Sequence, residues 1–492
     1  MADSSSKRAK NYYSGREKSI TRKGVPVDGD GDRISDLPDS VLVHILSCLP
    51  TKDAVATGVL SKRWQFLWTS VSSLEFLYSN RSVSTNIRKM SFPNIVNRVL
   101  LQHSARNSGS INKFSVQYCK FSGVDIYDAE SWVITAISRG VRELELELRF
   151  LYTQAYPLWF ILPSSVFTSK TLVVLKLCGV IMIHVPNSVC IPNLKTLYLH
   201  SVTFHDYESL RKLISSSLVL ETLTIIRIYL DNAGKVCISA PTITRLKINF
   251  FMNQLCLQKF ESMIVVEINA PALQYFDIDG YNPEVVIVTN CDNLIEANVG
   301  VDSSLWDDPE DNVIKFLKGV SKVKFLSITG FLYAAGPMKK MRECAMCVEQ
   351  TSCSEPEVFS TKFSNLTHLT MWTSCVWHPL LRYFLENADN LEVLNFKEDI
   401  DSYDLNLDVI STEPEHAPRC LSSCLRAISV ENFGSNMDEE DEFVMLKFFL
   451  KNGKVLRTLE ISNLCIKSKV SMLQKKISKF PRASEMCEII IY

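Results

Sequence analysis

The chain has 492 residues, 46% of them apolar, with 53 Lys and Arg against 54 Asp and Glu and a formal net charge of −1. This composition suits a large hydrophobic core, in several domains or in one repeat array with additions. A balanced charge argues against a chain built to lie on nucleic acid, which usually carries a basic excess. No apolar run approaches 18 residues, so no membrane-spanning helix is expected. The opening MADSSSKRAKNYYSGREKSITRKG lacks the apolar stretch of a secretory signal. The 15 cysteines are odd in number and scattered through apolar segments such as VLKLCGVIMI. They read as reduced thiols in a cytoplasmic or nuclear protein.

Residues 1–32 are polar and read as a disordered tail, in which Lys7, Arg8 and Lys10 form a small basic patch. Asp28, Asp30 and Asp32, with Asp39 further on, approach the spacing of a calcium loop. Arg33 stands where that loop turns on glycine and Asp39 where it needs glutamate, so the segment reads as a linker.

The next stretch, ISDLPDSVLVHILSCLP, is dense in apolar residues. At about 100° per residue, Val41, Leu42, Ile45, Leu46 and Leu49 share one arc of about 140°. Asp36 is a candidate N-cap and Pro38 suits the first turn; Pro50 ends the helix, and Thr51 or Asp53 can cap the next. Two more short helices, KDAVATGVL and SKRWQFLW, follow, with Leu60, Trp64, Leu67 and Trp68 on one face. Such a unit, about 40 residues long, buries too little surface to stand alone. It must dock on the rest of the chain or on a partner.

Taken together, ISDLPD, ILSCLP, TKDAVAT and LSKRWQFLW within residues 33–79 resemble the F-box in its plant form. The resemblance implies binding to a Skp-type adaptor protein and through it to a cullin ubiquitin ligase. It assigns Leu37, Pro38, Leu42, Ile45, Leu46 and Leu49 to the adaptor contact, with Leu60 and Trp64 in support. Residues 80–139 read as a linker and the start of the next unit.

From Val141 one pattern returns: an apolar residue, two variable ones, an apolar, one variable, an apolar. It runs VRELEL, LVVLKL, LKTLYL, LETLTI, ITRLKI, LQYFDI, LIEANV, VKFLSI, LTHLTM, LEVLNF, LRAISV and LRTLEI. The period-2 part is a strand with two side chains turned inward, and the earlier apolar residue fills a corner. This is the signature of leucine-rich repeats, whose stacked units share one continuous core under a parallel sheet. An AP or IP dipeptide opens several units, as in IPNLKTLYL and APALQYFDI. The fold class expected is therefore α/β: a three-helix F-box, a leucine-rich-repeat solenoid over residues 140–410 and a cap over 411–492.

The residues alternating with the buried pairs should line the concave face. They include Glu143, Glu145 and Glu147, then Lys176, Asn249, Asp277, Asp279 and Thr370. Tyr198, His200, Arg245, Lys247, Tyr275, His368 and Trp372 are the candidate target-binding residues among them, since mixed charge and aromatic anchors suit recognition of a protein surface.

The words CLRAISVENF, EEDEFVMLKFFLKNGKVLRTLEI and FPRASEMCEIIIY are similar to the FBD domain that follows leucine-rich repeats in plant F-box proteins. Within it, an acidic run from Asp438 to Glu442 favours a helix start, and Gly453 suits its end. The physical role expected is closure of the solenoid.

No enzyme constellation emerges: no glycine-rich phosphate loop, no H-E-x-x-H and no nucleophile elbow. Cys344, Cys347 and Cys353 lack a clear fourth ligand for zinc, as do Cys420 and Cys424, so neither metal nor cofactor is expected. The function implied is substrate recognition in a Skp–cullin–F-box ligase, without nucleic acid or membrane and without bond chemistry of its own. A plain interaction scaffold, or a ligand-gated receptor with a pocket near Arg245 and Lys247, are the alternatives.

Overall fold

The computed structural model describes residues 34, 36–78, 91–106, 109–121, 125–150, 159–226, 229–230, 235–250, 264–280, 283–301, 315–329, 361–372, 379–397, 416–433, 439–462 and 470–492. The basic patch, the alternating aspartates up to Asp32 and the Cys344–Cys353 cluster lie outside them.

Fifteen strands form one parallel sheet in chain order. It begins with β1 (Ser73–Leu77), β2 (Lys113–Phe121) and β3 (Glu143–Phe150). Val174–Gly179, Thr196–His200, Thr222–Ile226, Arg245–Phe250, Tyr275–Gly280 and Glu296–Val301 follow. Phe325–Ile328, His368–Trp372, Val393–Lys397, Ala427–Glu431, Thr458–Ser462 and Glu488–Ile491 complete it. The apolar pairs stack in register: Leu144 beside Leu175, Leu197, Leu223, Leu246, Phe276 and onward. Because each unit repeats the same spacing, each strand delivers its inward side chains to the same two rows. The corner residues Val141, Leu172, Leu194, Leu220, Ile243 and Leu273 are fully buried beside them.

The sheet starts earlier than the repeats recognised from Val141. VSSLEF at 71 and INKFSV at 111 carry the same spacing, and Val71, Leu74, Phe76, Ile111, Phe114 and Val116 are all buried. α3 (Phe92–Arg106) runs between these two strands and α4 (Ile126–Ser138) between β2 and β3, so the solenoid is already under way within 80–139.

The inner face of the sheet is covered partly by helices and partly by two small parallel sheets. One of these joins Phe160–Ile161, Ile181–Ile183, Thr203–Phe204 and Tyr229–Leu230. The other joins Lys235–Ser239, Ile264–Asn269 and Pro283–Thr289. Their Val236, Ile238, Val266, Ile268, Val286 and Val288 are buried, so β-branched residues do in mid-solenoid what helices do elsewhere.

The helical unit opens the chain with α1 (Asp39–Ser47) and α2 (Thr51–Ala56), a 3₁₀ turn at Thr57–Val59 and a 3₁₀ helix at Trp64–Ser70. Pro38, not Asp36, occupies the N-cap position of α1, and no side chain caps it. Arg63 ties the start of α1 down instead, through Asp39 at 2.6 Å and the Leu37 carbonyl at 2.5 Å. Thr51 is the first residue of α2, and its hydroxyl accepts the Glu75 N–H at 2.7 Å, so the unit caps the free edge of β1. Arg106 lies 3.3 Å above the Phe66 ring at the same joint.

At the other end the residues of the FBD-like segment continue the same sheet. A helix, Glu439–Asn452, crosses between the strands Ala427–Glu431 and Thr458–Ser462. It ends where Gly453 N–H donates to the Phe449 carbonyl at 2.8 Å.

Candidate protein-interaction surfaces

The apolar arc of α1 splits. Leu42 and Leu46 have no exposed surface and Trp64 only 7%; all three build the core of the helical unit. Packed inside the unit, these three of the residues assigned to the adaptor contact offer almost no outer surface. Val41, Ile45 and Leu49 are each about two-fifths exposed, at 39%, 41% and 40%. Val41 and Ile45 form an i, i+4 pair on the outer side of α1, and Leu49 is exposed two residues past the helix end at Ser47. On a wheel of about 100° per residue, Val41 and Ile45 occupy the first ~40° of the arc, and the buried pair lies at ~100–140°. Leu60 is 64% and Val59 88% exposed in the turn that follows. Pro38 is exposed and Leu37 half-buried against the core. Of the sequence candidates, Ile45, Leu49, Leu60 and Pro38 thus remain available. Val41 and Val59 join them; nothing in their residue type separated them from the buried positions.

The second surface is the open face of the sheet, where in-register pairing builds three rows of side chains. Tyr198 stands beside Lys176 and Thr224, and His200 beside Cys178 and Ile226. Arg245 lies beside Tyr275, with its guanidinium 4.2 Å from the ring centroid. Lys247 pairs with Asp277 at 2.6 Å, and Asn249 donates to Asp279 at 3.1 Å. Arg245, Lys247, Tyr275 and Asp277, with Thr222, Thr224, Glu296 and Asn298, line a shallow cleft. His368 stacks on Phe325 at 4.8 Å, and Trp372 lies under Lys397 at 5.4 Å.

The structure therefore separates the seven target-binding candidates into groups along the face. The strand of Tyr198 and that of His368 are six strands apart, or about 29 Å at ~4.8 Å per strand. Phe325, 40% exposed between Glu296 and His368, belongs to this surface although the sequence reading passed over it. Its position in VKFLSI, alternating with Leu326 and Ile328, was the available signal.

Charges on this face are largely matched by their neighbours. Lys113 lies 3.0 Å from Glu75, Lys176 2.7 Å from Glu145, and Lys397 3.1 Å from Glu431. Burial works against the charge of Glu145, yet Lys176, Lys113 and Ser115 prevail and hold its carboxyl below the usual range. Cys178, whose Sγ lies 3.3 Å from His200 Nδ1, is pushed up by burial. Cys420, read from sequence as an unpartnered thiol, is buried with its Sγ 3.6 Å from the Leu385 carbonyl oxygen, and burial pushes it up to about 12. Neither is a nucleophile at neutral pH.

Family comparisons agree with this layout. The F-box family matches residues 34–76, the leucine-rich repeats of the FBD-associated F-box protein At5g56370 match residues 129–285, and the FBD family matches residues 413–461. The FBD-associated F-box protein At4g10400 of Arabidopsis thaliana is 31% identical over 93% of this chain and 99% of its own length. The F-box/LRR-repeat protein At3g59200 of the same plant is 32% identical over 93% of this chain and 88% of its own. The F-box/FBD/LRR-repeat protein At3g52680, also from Arabidopsis thaliana, is 31% identical, with 93% of both chains covered. A helical unit on the first strand, a repeat sheet and an end that continues it are thus the three parts of one known arrangement, and the chain belongs to the plant F-box/FBD/LRR-repeat family.

Proposed function

We propose that the chain is the substrate-recognition subunit of a Skp–cullin–F-box ubiquitin ligase, acting in the cytoplasm or nucleus. The observation that carries this reading is the bare apolar patch of Val41, Ile45 and Leu49 on a helical unit fastened to the edge of a long sheet. A Skp-type adaptor covers the patch. Each large apolar side chain it buries contributes roughly 1.5–3 kcal/mol before the costs of association. The target protein lies on the open face, against the Arg245–Tyr275 cleft and the aromatic groups at Phe325 and Trp372.

The mechanism is tethering. The sheet fixes the distance between adaptor and target, and holding both raises the target's effective concentration at the ubiquitin-loaded enzyme. In this reading the chain carries out no bond chemistry itself. The cleft at Arg245 and Lys247 supports a small-ligand reading less well, because Lys247 is already paired with Asp277 and the candidate residues extend about 29 Å. Co-purification of the adaptor with full-length chain, with and without Ile45→Asp, tests the proposal: the wild type retains the adaptor and the variant releases it.

A further inference from the structure

A separate cluster lies on the small four-stranded sheet, away from both surfaces. Ile183 and Phe204 pair in parallel, and His205 N–H donates to the Ile183 carbonyl at 3.0 Å. The next residues of the two strands, His184 and His205, therefore stand side by side with ring centroids 4.8 Å apart at 79°. Asp206 follows as the N-cap of the helix Tyr207–Ser215. Its Oδ1 accepts the Ser209 N–H at 2.6 Å, which leaves Oδ2 turned to His205 Nδ1 at 3.4 Å.

We propose that His184, His205 and Asp206 bind a divalent transition-metal ion of the zinc type, with water as the fourth ligand. Zinc–nitrogen and zinc–oxygen bonds of about 2.0–2.2 Å at a tetrahedral angle set two ligand atoms ~3.3–3.5 Å apart. The 3.4 Å between Nδ1 and Oδ2 already has that separation. The donor atoms of all three residues lie within 4.8 Å of one another. His184 and His205 are exposed, so a ring rotation brings the third donor in without moving backbone. Two imidazoles and a carboxylate select borderline ions such as zinc, nickel or copper over calcium or magnesium, which prefer all-oxygen shells. Ser209 fixes the carboxylate as an outer partner fixes a ligand. The bound ion staples two strands of the side sheet to the start of the following helix.

The test is equilibrium dialysis of the full-length protein against zinc, after iodoacetamide has blocked exposed thiols that would compete. Wild type is expected to hold one more equivalent than His184→Ala/His205→Ala, and zinc to raise the melting temperature of wild type but not of the double variant. Asp206→Asn, which keeps the helix cap, is expected to weaken zinc binding at the site. Both histidines are exposed, so the variants fold; circular dichroism verifies it. Equal zinc content in wild type and the folded double variant would overturn the proposal and leave His205–Asp206 as a plain hydrogen-bonded pair.

Discussion

His103 clasps Val71 at the joint between the helical unit and the sheet. Its Nε2 lies 2.9 Å from the Val71 carbonyl oxygen, and Arg139 reaches its Nδ1 at 2.8 Å. The only arrangement satisfying both contacts is a neutral ring that donates from Nε2 and accepts at Nδ1. The residue has no exposed surface, and burial lowers its pKa; the bond to Val71 opposes this and Arg139 reinforces it. In the unfolded chain His103 takes up a proton near the ordinary value of about 6.5. The folded ring does so only at lower pH, so its contribution is whole above the unfolded value and is lost as pH falls through the folded one. We expect the stability gap between wild type and His103→Gln in chemical denaturation to narrow as pH falls from 7.5 to 5.5. A gap that widens would contradict the neutral clasp.

Gly179 ends the strand after β3 with φ +97°, and a Cβ there would run into the Leu148 carbonyl oxygen. Gly179→Ala therefore meets both backbone strain of about 1–3 kcal/mol and a clash with the neighbouring strand. Gly140 also has positive φ, but its nearest obstacle is the Thr171 methyl at 3.6 Å, so Gly140→Ala costs less. Urea unfolding of the two variants should rank them in that order.

Lys247 and Asp277 are both solvent-accessible, so their pair adds little stability, of order 0–1 kcal/mol. Lys247→Ala should leave the melting temperature within about a degree or two of wild type while weakening target capture. A large loss of stability would show the pair to be part of the framework rather than of the binding face.

Thiol chemistry separates the cysteines by burial. Cys48, Cys119 and Cys190 are exposed, whereas Cys420 is buried and pushed up to about 12. In the native protein at pH 8, a chromogenic disulfide reagent should label Cys48, Cys119 and Cys190 within minutes and spare Cys420 until the chain unfolds. Early labelling of Cys420, located by mass spectrometry, would show the C-terminal part opening on its own.

The repeat was legible because its cause is local. Each unit needs a corner residue and two inward side chains, and that spacing survives in sequence from Val141 to Ile461. It was missed at Val71 and Ile111 because long helices separate those units, which breaks the regular interval. The side sheets were not legible: KVCIS and EVVIV are short apolar runs that could equally have joined the main sheet. The helical unit was legible as a set of motifs, but not in its facing. A wheel shows that Leu42 and Ile45 share an arc; only the position of the Trp64 and Trp68 side chains determines which half of that arc is inside. The His184–His205 pair was invisible because its residues are 21 positions apart and meet only through strand register.

The most direct measurement compares two α1 variants for adaptor affinity and stability together, by calorimetric titration of the full-length chain with a Skp-type adaptor and by urea unfolding. Ile45→Asp, on the outer patch, should abolish binding while changing stability by no more than about 0.5 kcal/mol. Leu46→Ala, in the core, should cost about 2–5 kcal/mol of stability. An Ile45→Asp protein that still binds the adaptor with wild-type affinity would contradict the central claim that this patch is the docking face.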